Sequence, residues 1–321
     1  MKVLKKTFKI LGIALLSFVA LIVVFLFGIK IWNHIAMNSE KEMLADHPGI
    51  SVEVDGSNMN IYVEGEGDHT LVFMAGWKCP SPMYSFKPLY SQLSGDYRCV
   101  VIEKFGYGFS DVVEEERSFD TILAQDREAL AKAGIEGPYI LCPHSMSGLE
   151  AIMWAQNHPE EVEAIVGLDM VVPEFYDDFD FTGTIRYEKK AATARKMGLI
   201  RFYYNDSALP RDLSDEDRRI YKALAAKKAV NVDVINETLA IPDACEEINS
   251  KPKLDLPMLM FHSNGIGNLG QAPVNYAADL SNCSVIELDC GHNVHYTEYE
   301  QISLEMKKYF EDKLENQVTG E

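Results

Sequence analysis

The chain has 321 residues, of which 47% are hydrophobic and 25% are charged, as is typical of a packed globular protein. Its formal net charge is −19; the first 34 residues hold five lysines and no acid, which leaves 25 basic against 49 acidic side chains in the remainder. Such an acidic surface repels nucleic acid and anionic lipid, so nucleic acid is not an expected partner.

An uncharged run of 20 residues, at positions 10–29, follows a basic N-terminus. As a helix rising 1.5 Å per residue, this run would be about 30 Å long, the thickness of a bilayer's hydrocarbon core. A secretory signal has a shorter apolar region of about 7–15 residues and a small-residue cleavage site, and neither is evident before Lys30. The sequence therefore predicts an uncleaved membrane anchor in residues 1–34, with a removed signal peptide as the alternative.

The charges that flank this run predict its orientation. Four lysines precede the run, against Lys30 and Lys41 after it, which favours a single-pass protein of the cell membrane with a cytoplasmic N-terminus and an extracytoplasmic folded part. Trp32 lies where an aromatic anchor at the membrane interface is expected. Residues 35–48 are predicted to form a polar tether that holds the folded part near the membrane.

The next part of the chain has the pattern of an α/β sheet. Residues 51–55 and 60–64 alternate around Asp55-Gly56-Ser57, which predicts a hairpin. Mainly apolar runs follow, most of them separated by helical segments; they are residues 71–75, 99–102, 139–142, 164–168, 258–261 and 284–288. Continuous apolar runs indicate strands buried on both faces, and strands separated by helices pair in parallel. We therefore expect a mostly parallel sheet with an antiparallel start, covered by helices on both faces.

Residues 171–250 interrupt this alternation of strands and helices, since they lack a convincing buried strand and are rich in charged residues and helix formers. We expect an inserted helical cap there. The first part of the α/β core would then occupy residues 49–170 and the second part residues 251–321. The last helix is predicted over residues 298–315, with its apolar side chains on one face.

The six cysteines show no Cys-x-x-Cys spacing, so a zinc ribbon or a thioredoxin-type redox site is not expected. Cys99 and Cys142 fall within apolar runs, where a small buried thiol is the usual structure. Nothing else in the sequence calls for a cofactor or a metal.

Ser145 is the candidate nucleophile. It follows the apolar run 139–142 and precedes a helical segment, and strand–turn–helix is the context in which a serine is held clear of a sheet for attack. The usual form of that turn is Gly-x-Ser-x-Gly, whereas this one reads Pro143-His-Ser-Met-Ser147. A serine here could instead cap the following helix. The small Ser147 and Gly148 allow the close approach of helix and strand that a nucleophile turn requires.

His292 is the candidate general base, because a serine hydroxyl is a weak nucleophile that needs a base oriented by a third group. It lies in Cys-Gly-His-Asn-Val-His295, after the last apolar run and before the last helix. A surface histidine and a metal pair with His295 are the alternatives, although no further ligand cluster supports a metal. His144, His262 and His295 are expected to have supporting roles.

Together these landmarks resemble the α/β-hydrolase fold superfamily, in the family's order and spacing. They are Ala75-Gly76-Trp77, residues 103–111 (Glu-Lys-Phe-Gly-Tyr-Gly-Phe-Ser-Asp), the Ser145 turn and Gly291-His292. The resemblance covers roughly residues 50–315 apart from the cap, which varies within the superfamily.

The resemblance implies a role for each matching residue. Ser145 would be the nucleophile and His292 the general base, and the backbone N–H groups of Trp77 and Met146 would form the oxyanion hole. The chain departs from the family pattern where Pro143 and Ser147 replace glycines.

The acid of the triad is a third departure. In most members it follows the strand after the cap, but residues 258–278 contain no Asp or Glu. Asp169, at the end of the run 164–168, is the best replacement and occupies a position that some members use. It could otherwise cap a turn, and Asn264 is a weaker substitute that could orient a histidine without charge. We expect Asp169 to contact His292.

The resemblance implies a serine hydrolase that cleaves a carboxylic ester, or a related acyl bond, of a small-molecule acyl substrate. Carboxylesterase is the favoured activity because it requires least beyond the triad. A non-catalytic small-molecule receptor on a hydrolase scaffold stays open, because the turn is unusual and the late acid is absent. A serine aminopeptidase also stays open, since the cap has acids that could hold an amine at positions 174, 177, 178 and 180.

Overall fold

Eight strands form one sheet in the computed structural model, which describes residues 2–319. They are β1 (Ile50–Val54), β2 (Ser57–Glu64), β3 (Thr70–Met74), β4 (Arg98–Glu103), β5 (Tyr139–Ser145), β6 (Val162–Met170), β7 (Met258–Ser263) and β8 (Cys283–Leu288). The strand order is β1-β2-β4-β3-β5-β6-β7-β8, in which β2 pairs antiparallel with β1 and β4 and the other pairs are parallel. The predicted mostly parallel sheet with an antiparallel start is confirmed.

The described residues also form α-helices. They are α1 (Lys2–Ser39), α2 (Pro82–Leu93), α3 (Phe119–Lys132), α4 (Ser147–Asn157), α5 (Phe181–Met197), α6 (Ile200–Tyr203), α7 (Asp215–Lys228), α8 (Val232–Asn249), α9 (Ala272–Ala278), α10 (Val294–Thr297) and α11 (Tyr299–Thr319).

Each central strand is buried on both of its faces. In β3, Leu71 and Phe73 pack in the apolar cluster that includes α2 and α11, whereas Val72 and Met74 pack in the cluster that includes α3 and α4. Successive side chains of a strand point to opposite faces, so helices on both sides require every position to be apolar. This requirement explains the continuous apolar runs of the sequence. Cys99 and Cys142 are buried in β4 and β5, as expected.

Helices α5 to α8 all lie between β6 and β7, so residues 171–250 are mainly helical. Aromatic side chains at the start of this segment pack on one another. Tyr176 and Phe181 stack with ring centroids 5.8 Å apart, and Phe179 lies 4.9 Å from Phe181. The division of this segment from the core stays a prediction.

Helix α1 continues beyond the predicted anchor as one helix to Ser39. Residues 35–39 of the predicted tether are therefore helical and belong to a helix that packs on the folded part. The role of residues 35–48 as a tether stays a prediction. Asn33 is buried, and its Oδ1 accepts a hydrogen bond from Arg201 Nε at 2.7 Å. The same guanidinium binds both carboxylate oxygens of Glu40, at 2.8 and 2.7 Å. These contacts fix the end of α1 to α6.

Candidate active site

Ser145 lies at the sharp turn between β5 and α4 and has a φ of +54°. A non-glycine residue in this left-handed region costs roughly 1–2 kcal/mol, and such strain is found where a turn must hold a functional side chain. Two glycines that lie next to this turn in space allow the surrounding segments to pack closely on it. A Cβ at Gly148 would lie 2.1 Å from Val171 O, and one at Gly76 would lie 2.6 Å from Ser145 Cβ.

Ser147 fits the turn although the family pattern has glycine there. Its side chain is fully buried, and its Oγ lies 2.7 Å from Met74 O and 2.8 Å from His144 O. The hydroxyl therefore ties the start of α4 to the end of β3. Pro143, the other residue that replaces a glycine of the family pattern, pairs with Met74 and therefore lies inside strand β5.

Ser145, His292 and Asp169 form a continuous row of hydrogen bonds. Ser145 Oγ lies 2.9 Å from His292 Nε2, and His292 Nδ1 lies 2.7 Å from Asp169 Oδ2. The residues come from β5, from β6 and from the loop between β8 and α10, which meet at the carboxyl edge of the sheet. In such a row an imidazole can accept the serine proton while a carboxylate holds its orientation.

The carboxyl group of Asp169 is buried and well supplied with hydrogen bonds. Ser263 donates its backbone N–H to Oδ1 at 2.9 Å and its hydroxyl to Oδ2 at 2.6 Å. Burial opposes ionisation, but the hydrogen bonds from His292 and Ser263 together outweigh it and lower the pKa of Asp169. His262 Nδ1 lies 3.3 Å from Oδ1.

Ser263 is a residue of this site that no motif in the sequence predicts. Its only signal is its position at the end of β7, the strand after which most family members carry the acid.

Two further histidines support the loop that carries His292. His144 Nε2 lies 3.2 Å from His292 O, and the rings of His144 and His295 are 4.5 Å apart. Burial lowers the pKa of His144 well below its usual range and that of His295 to about 3. Both rings are therefore neutral at physiological pH and do not compete with His292 for a proton.

The two backbone donors predicted for the oxyanion hole flank Ser145. Met146 follows it directly at the N-cap of α4, and Trp77 follows Gly76, whose position leaves no room for a Cβ against Ser145. Within the described residues, neither the Trp77 N–H nor the Met146 N–H donates a hydrogen bond to another group of the protein. The dipole of α4 adds to the donor strength of the Met146 N–H.

A pocket of about 720 Å³ lies beside this site, between His144 and helices α5 to α7. Trp77 and His144 line it from the core. From residues 171–250 the lining includes Tyr187, Leu199, Ile200, Tyr203, Tyr204 and Tyr221. A mainly apolar pocket of this size can enclose a small organic ligand.

Lys78 and Glu188 form a partly desolvated pair beside the pocket, and neither belongs to a motif in the sequence. Lys78 Nζ lies 3.1 Å from the centroid of the Trp77 ring and 3.9 Å from Glu188 Oε1. Burial lowers the pKa of Lys78 to about 8 and raises that of Glu188 to about 7. Among the described residues, Glu188 Oε2 has no hydrogen-bond partner.

The chain belongs to the α/β-hydrolase fold family, whose model matches residues 76–299. This match includes Ser145, Asp169 and His292, and the strand order above agrees with it.

Two curated proteins and one solved structure illustrate the similarity. The uncharacterized protein YbdG of Bacillus subtilis is 34% identical over 314 residues, which cover 93% of this chain and 96% of YbdG. The cis-3-alkyl-4-alkyloxetan-2-one decarboxylase of Xanthomonas campestris is 31% identical over 119 residues, or 35% of this chain and 39% of that protein. The structure of a loop variant of the haloalkane dehalogenase DbeA from Bradyrhizobium elkanii superposes with a TM-score of 0.61 at 18% identity. The match covers 85% of this chain and 99% of the DbeA chain. Its similarity concerns the fold alone.

Proposed function

We propose that the protein is a serine hydrolase that cleaves a carboxylic ester, or a related acyl bond, of a small-molecule substrate. The observation that carries this proposal is the row of hydrogen bonds from Ser145 through His292 to Asp169, at 2.9 and 2.7 Å. The same fold uses an aspartate as nucleophile in dehalogenases and epoxide hydrolases. A serine at this position therefore favours acyl transfer.

In the first half of the reaction, Ser145 Oγ attacks the substrate carbonyl carbon while His292 Nε2 takes the hydroxyl proton. The carbonyl oxygen becomes an oxyanion, which accepts hydrogen bonds from the N–H groups of Trp77 and Met146. Collapse of this intermediate breaks the ester bond, and His292 returns the proton to the departing alcohol. Asp169 stays ionised and stabilises the imidazolium.

In the second half, a water molecule loses a proton to His292 and attacks the acyl carbon bound to Ser145. The tetrahedral intermediate again places its charge on the oxyanion hole. It collapses to release the carboxylic acid, and the proton returns from His292 to Ser145 Oγ. No cofactor or metal takes part in this sequence of steps.

Helices α5 to α8 would act as a cap that shapes the substrate pocket. Their aromatic and aliphatic side chains on the pocket wall favour an apolar acyl or alcohol group. The four acids considered for an aminopeptidase, at positions 174, 177, 178 and 180, are not part of this lining. Asp180 instead caps α5, with its Oδ1 2.8 Å from Gly183 N. These contacts favour the ester over a peptide with a free amine.

The enzyme would be held in the cell membrane by residues 10–29, with its N-terminus in the cytoplasm. In the described chain, α1 is long and apolar enough from Leu4 to Ser39 to cross a bilayer. Extraction of membranes with alkaline carbonate tests this anchor. The full-length chain should remain with the membrane, whereas a shortened chain in the supernatant would indicate a removed signal peptide.

A fluorophosphonate probe tests the chemistry, because it labels only a serine that is activated as a nucleophile. The wild-type protein should be labelled on the peptide that contains Ser145, and Ser145→Ala should not be labelled. Ser91→Ala, at an exposed position of α2, is the matched control and should react like the wild type. Equal labelling of Ser145→Ala and the wild type would contradict the proposal. A panel of esters with acyl chains of increasing length would then define the substrate.

A further inference from the structure

One surface of this acidic protein is basic. Residues 186–201 contain six Lys and Arg side chains and one acid, Glu188, which is buried. Arg186, Lys189, Lys190 and Lys196 are exposed on α5, and in the described part of the chain none of the four has a carboxylate within 4.0 Å. These cations are therefore available to a partner outside the chain.

Exposed aromatic side chains lie beside these cations. Phe202 and Tyr203 of α6 are 59% and 66% exposed, and Tyr187 of α5 is 60% exposed. The Phe202 ring lies 6.0 Å from that of Trp32, near the end of the predicted anchor. Aromatic and basic side chains occur together where a protein meets lipid headgroups.

Helix α1 sets the height of this surface relative to a bilayer. The uncharged run ends at Ile29, which is buried against the folded part, and Asn33 packs on Gly198 at the end of α5. At 1.5 Å per residue, Asn33 lies about 6 Å along the helix axis beyond the run. A headgroup layer is about 5–8 Å thick on each side of a bilayer. The end of α5 and the start of α6 are therefore held at the level of the headgroups.

We propose that the basic aromatic face, formed by Arg186, Lys189, Lys190, Lys196, Phe202 and Tyr203, docks on anionic lipid headgroups of the membrane that holds α1. The overall negative charge of the protein does not prevent this, because charges are screened beyond about 8–10 Å at physiological salt. Lys190 and Tyr203 also line the pocket, so docking brings the pocket rim to the headgroup layer. The inference rests on the proposed membrane anchor and not on the chemistry of Ser145.

Lysine modification in lipid nanodiscs tests the docking on the full-length chain. The discs contain phosphatidylcholine alone or phosphatidylcholine mixed with phosphatidylglycerol, and a water-soluble N-hydroxysuccinimide ester is the reagent. Mass spectrometry should show that Lys189, Lys190 and Lys196 react about threefold or more slowly in the anionic discs. Lys132 and Lys253, whose side chains are 47% and 46% exposed, serve as internal controls and should react equally in both discs.

Two double variants, which change the net charge of the protein by the same amount, separate a local effect from an effect of total charge. Lys189→Glu with Lys196→Glu should remove the slower reaction of Lys190 in anionic discs, whereas Lys132→Glu with Lys253→Glu should retain it. Equal reaction of Lys190 in the two kinds of disc in the wild-type protein would overturn the docking. Failure of the chain to insert into discs would overturn the anchor and the docking together. Fluorophosphonate labelling of Ser145 would still report separately on the hydrolase.

Discussion

Asp169 Oδ2 lies 2.7 Å from His292 Nδ1, although Asp169 belongs to β6 and not to β7, the strand that follows helices α5 to α8. That later strand, β7, ends at Ser263, which donates two hydrogen bonds to the same carboxyl group. The later strand thus contributes hydrogen-bond donors to the Asp169 carboxyl group and has no carboxyl group of its own. A carboxyl group on β6 can have its partners on β7 because the two strands are parallel neighbours whose ends meet at one edge of the sheet.

Replacement of this carboxylate should impair turnover much more than folding. Asp169→Asn keeps the shape of the side chain but removes the charge that orients His292 and stabilises its protonated form, so kcat should fall about 10³–10⁴-fold. Asn264→Ala is the control, because Asn264 is exposed and its amide binds Glu287 Oε1. It should change kcat by less than about twofold. Similar losses in the two variants, measured by ester hydrolysis, would contradict the assignment of the acid.

The turn at Ser145 should not tolerate a side chain at Gly148. Gly148→Ala would place a Cβ 2.1 Å from Val171 O, a backbone atom that cannot move without shifting the strand end. We expect the free energy of unfolding to fall by about 2–3 kcal/mol or more. Gly95→Ala is the matched control, because a Cβ there meets nothing within 4 Å, and its effect should stay within about 1 kcal/mol. Urea denaturation measures both, and equal midpoints would contradict the tight packing of this turn.

The buried histidines should make the protein sensitive to mild acid. Burial lowers the pKa of His144 well below its usual range and that of His295 to about 3, so each accepts a proton near pH 6.5 only after unfolding. The free energy of unfolding should therefore fall by about 1.4 kcal/mol per pH unit for each histidine below about pH 6.5. The lowered pKa of Asp169 adds a loss only below about pH 4. Urea denaturation of His295→Gln should give a shallower slope between about pH 6 and 4.5, and an unchanged slope would exclude this explanation.

Ionisation of Glu188 should lower the free energy of unfolding as the pH rises. Burial raises the pKa of its carboxyl group to about 7, so the folded chain keeps this proton over a range in which the unfolded chain, with a pKa near 4.3, has lost it. Stability from this group therefore decreases from about pH 4.3 to pH 7. Glu188→Gln should gain stability relative to the wild type between about pH 5 and pH 8. A difference between the two proteins that does not change with pH, in urea titrations, would refute this expectation.

Local patterns of the sequence were sufficient to predict the sheet and the sharp strand–turn–helix geometry at Ser145. Side chains alternate between the two faces of a strand, so runs such as residues 71–75 and 139–142 indicate burial on both sides. The spacing of Ser145, Asp169 and His292 relative to these runs places each at a strand end, where parallel strands bring their ends together. Contacts among these three residues could be expected, because the sequence pattern shows where the strands end.

The sequence by itself determined which segments would be strands, which would be helices and where the polar side chains would fall at their ends. Only the tertiary structure decided which further partners those side chains have. Ser263 binds Asp169, and Ser147 fills a glycine position by binding two carbonyl groups, because distant strand ends converge there. The total charge predicted repulsion from anionic lipid, but folding places the clustered cations of α5 beside the end of α1. Charge acts over about 10 Å, so their position on the folded surface, and not the sum over the chain, sets the local attraction.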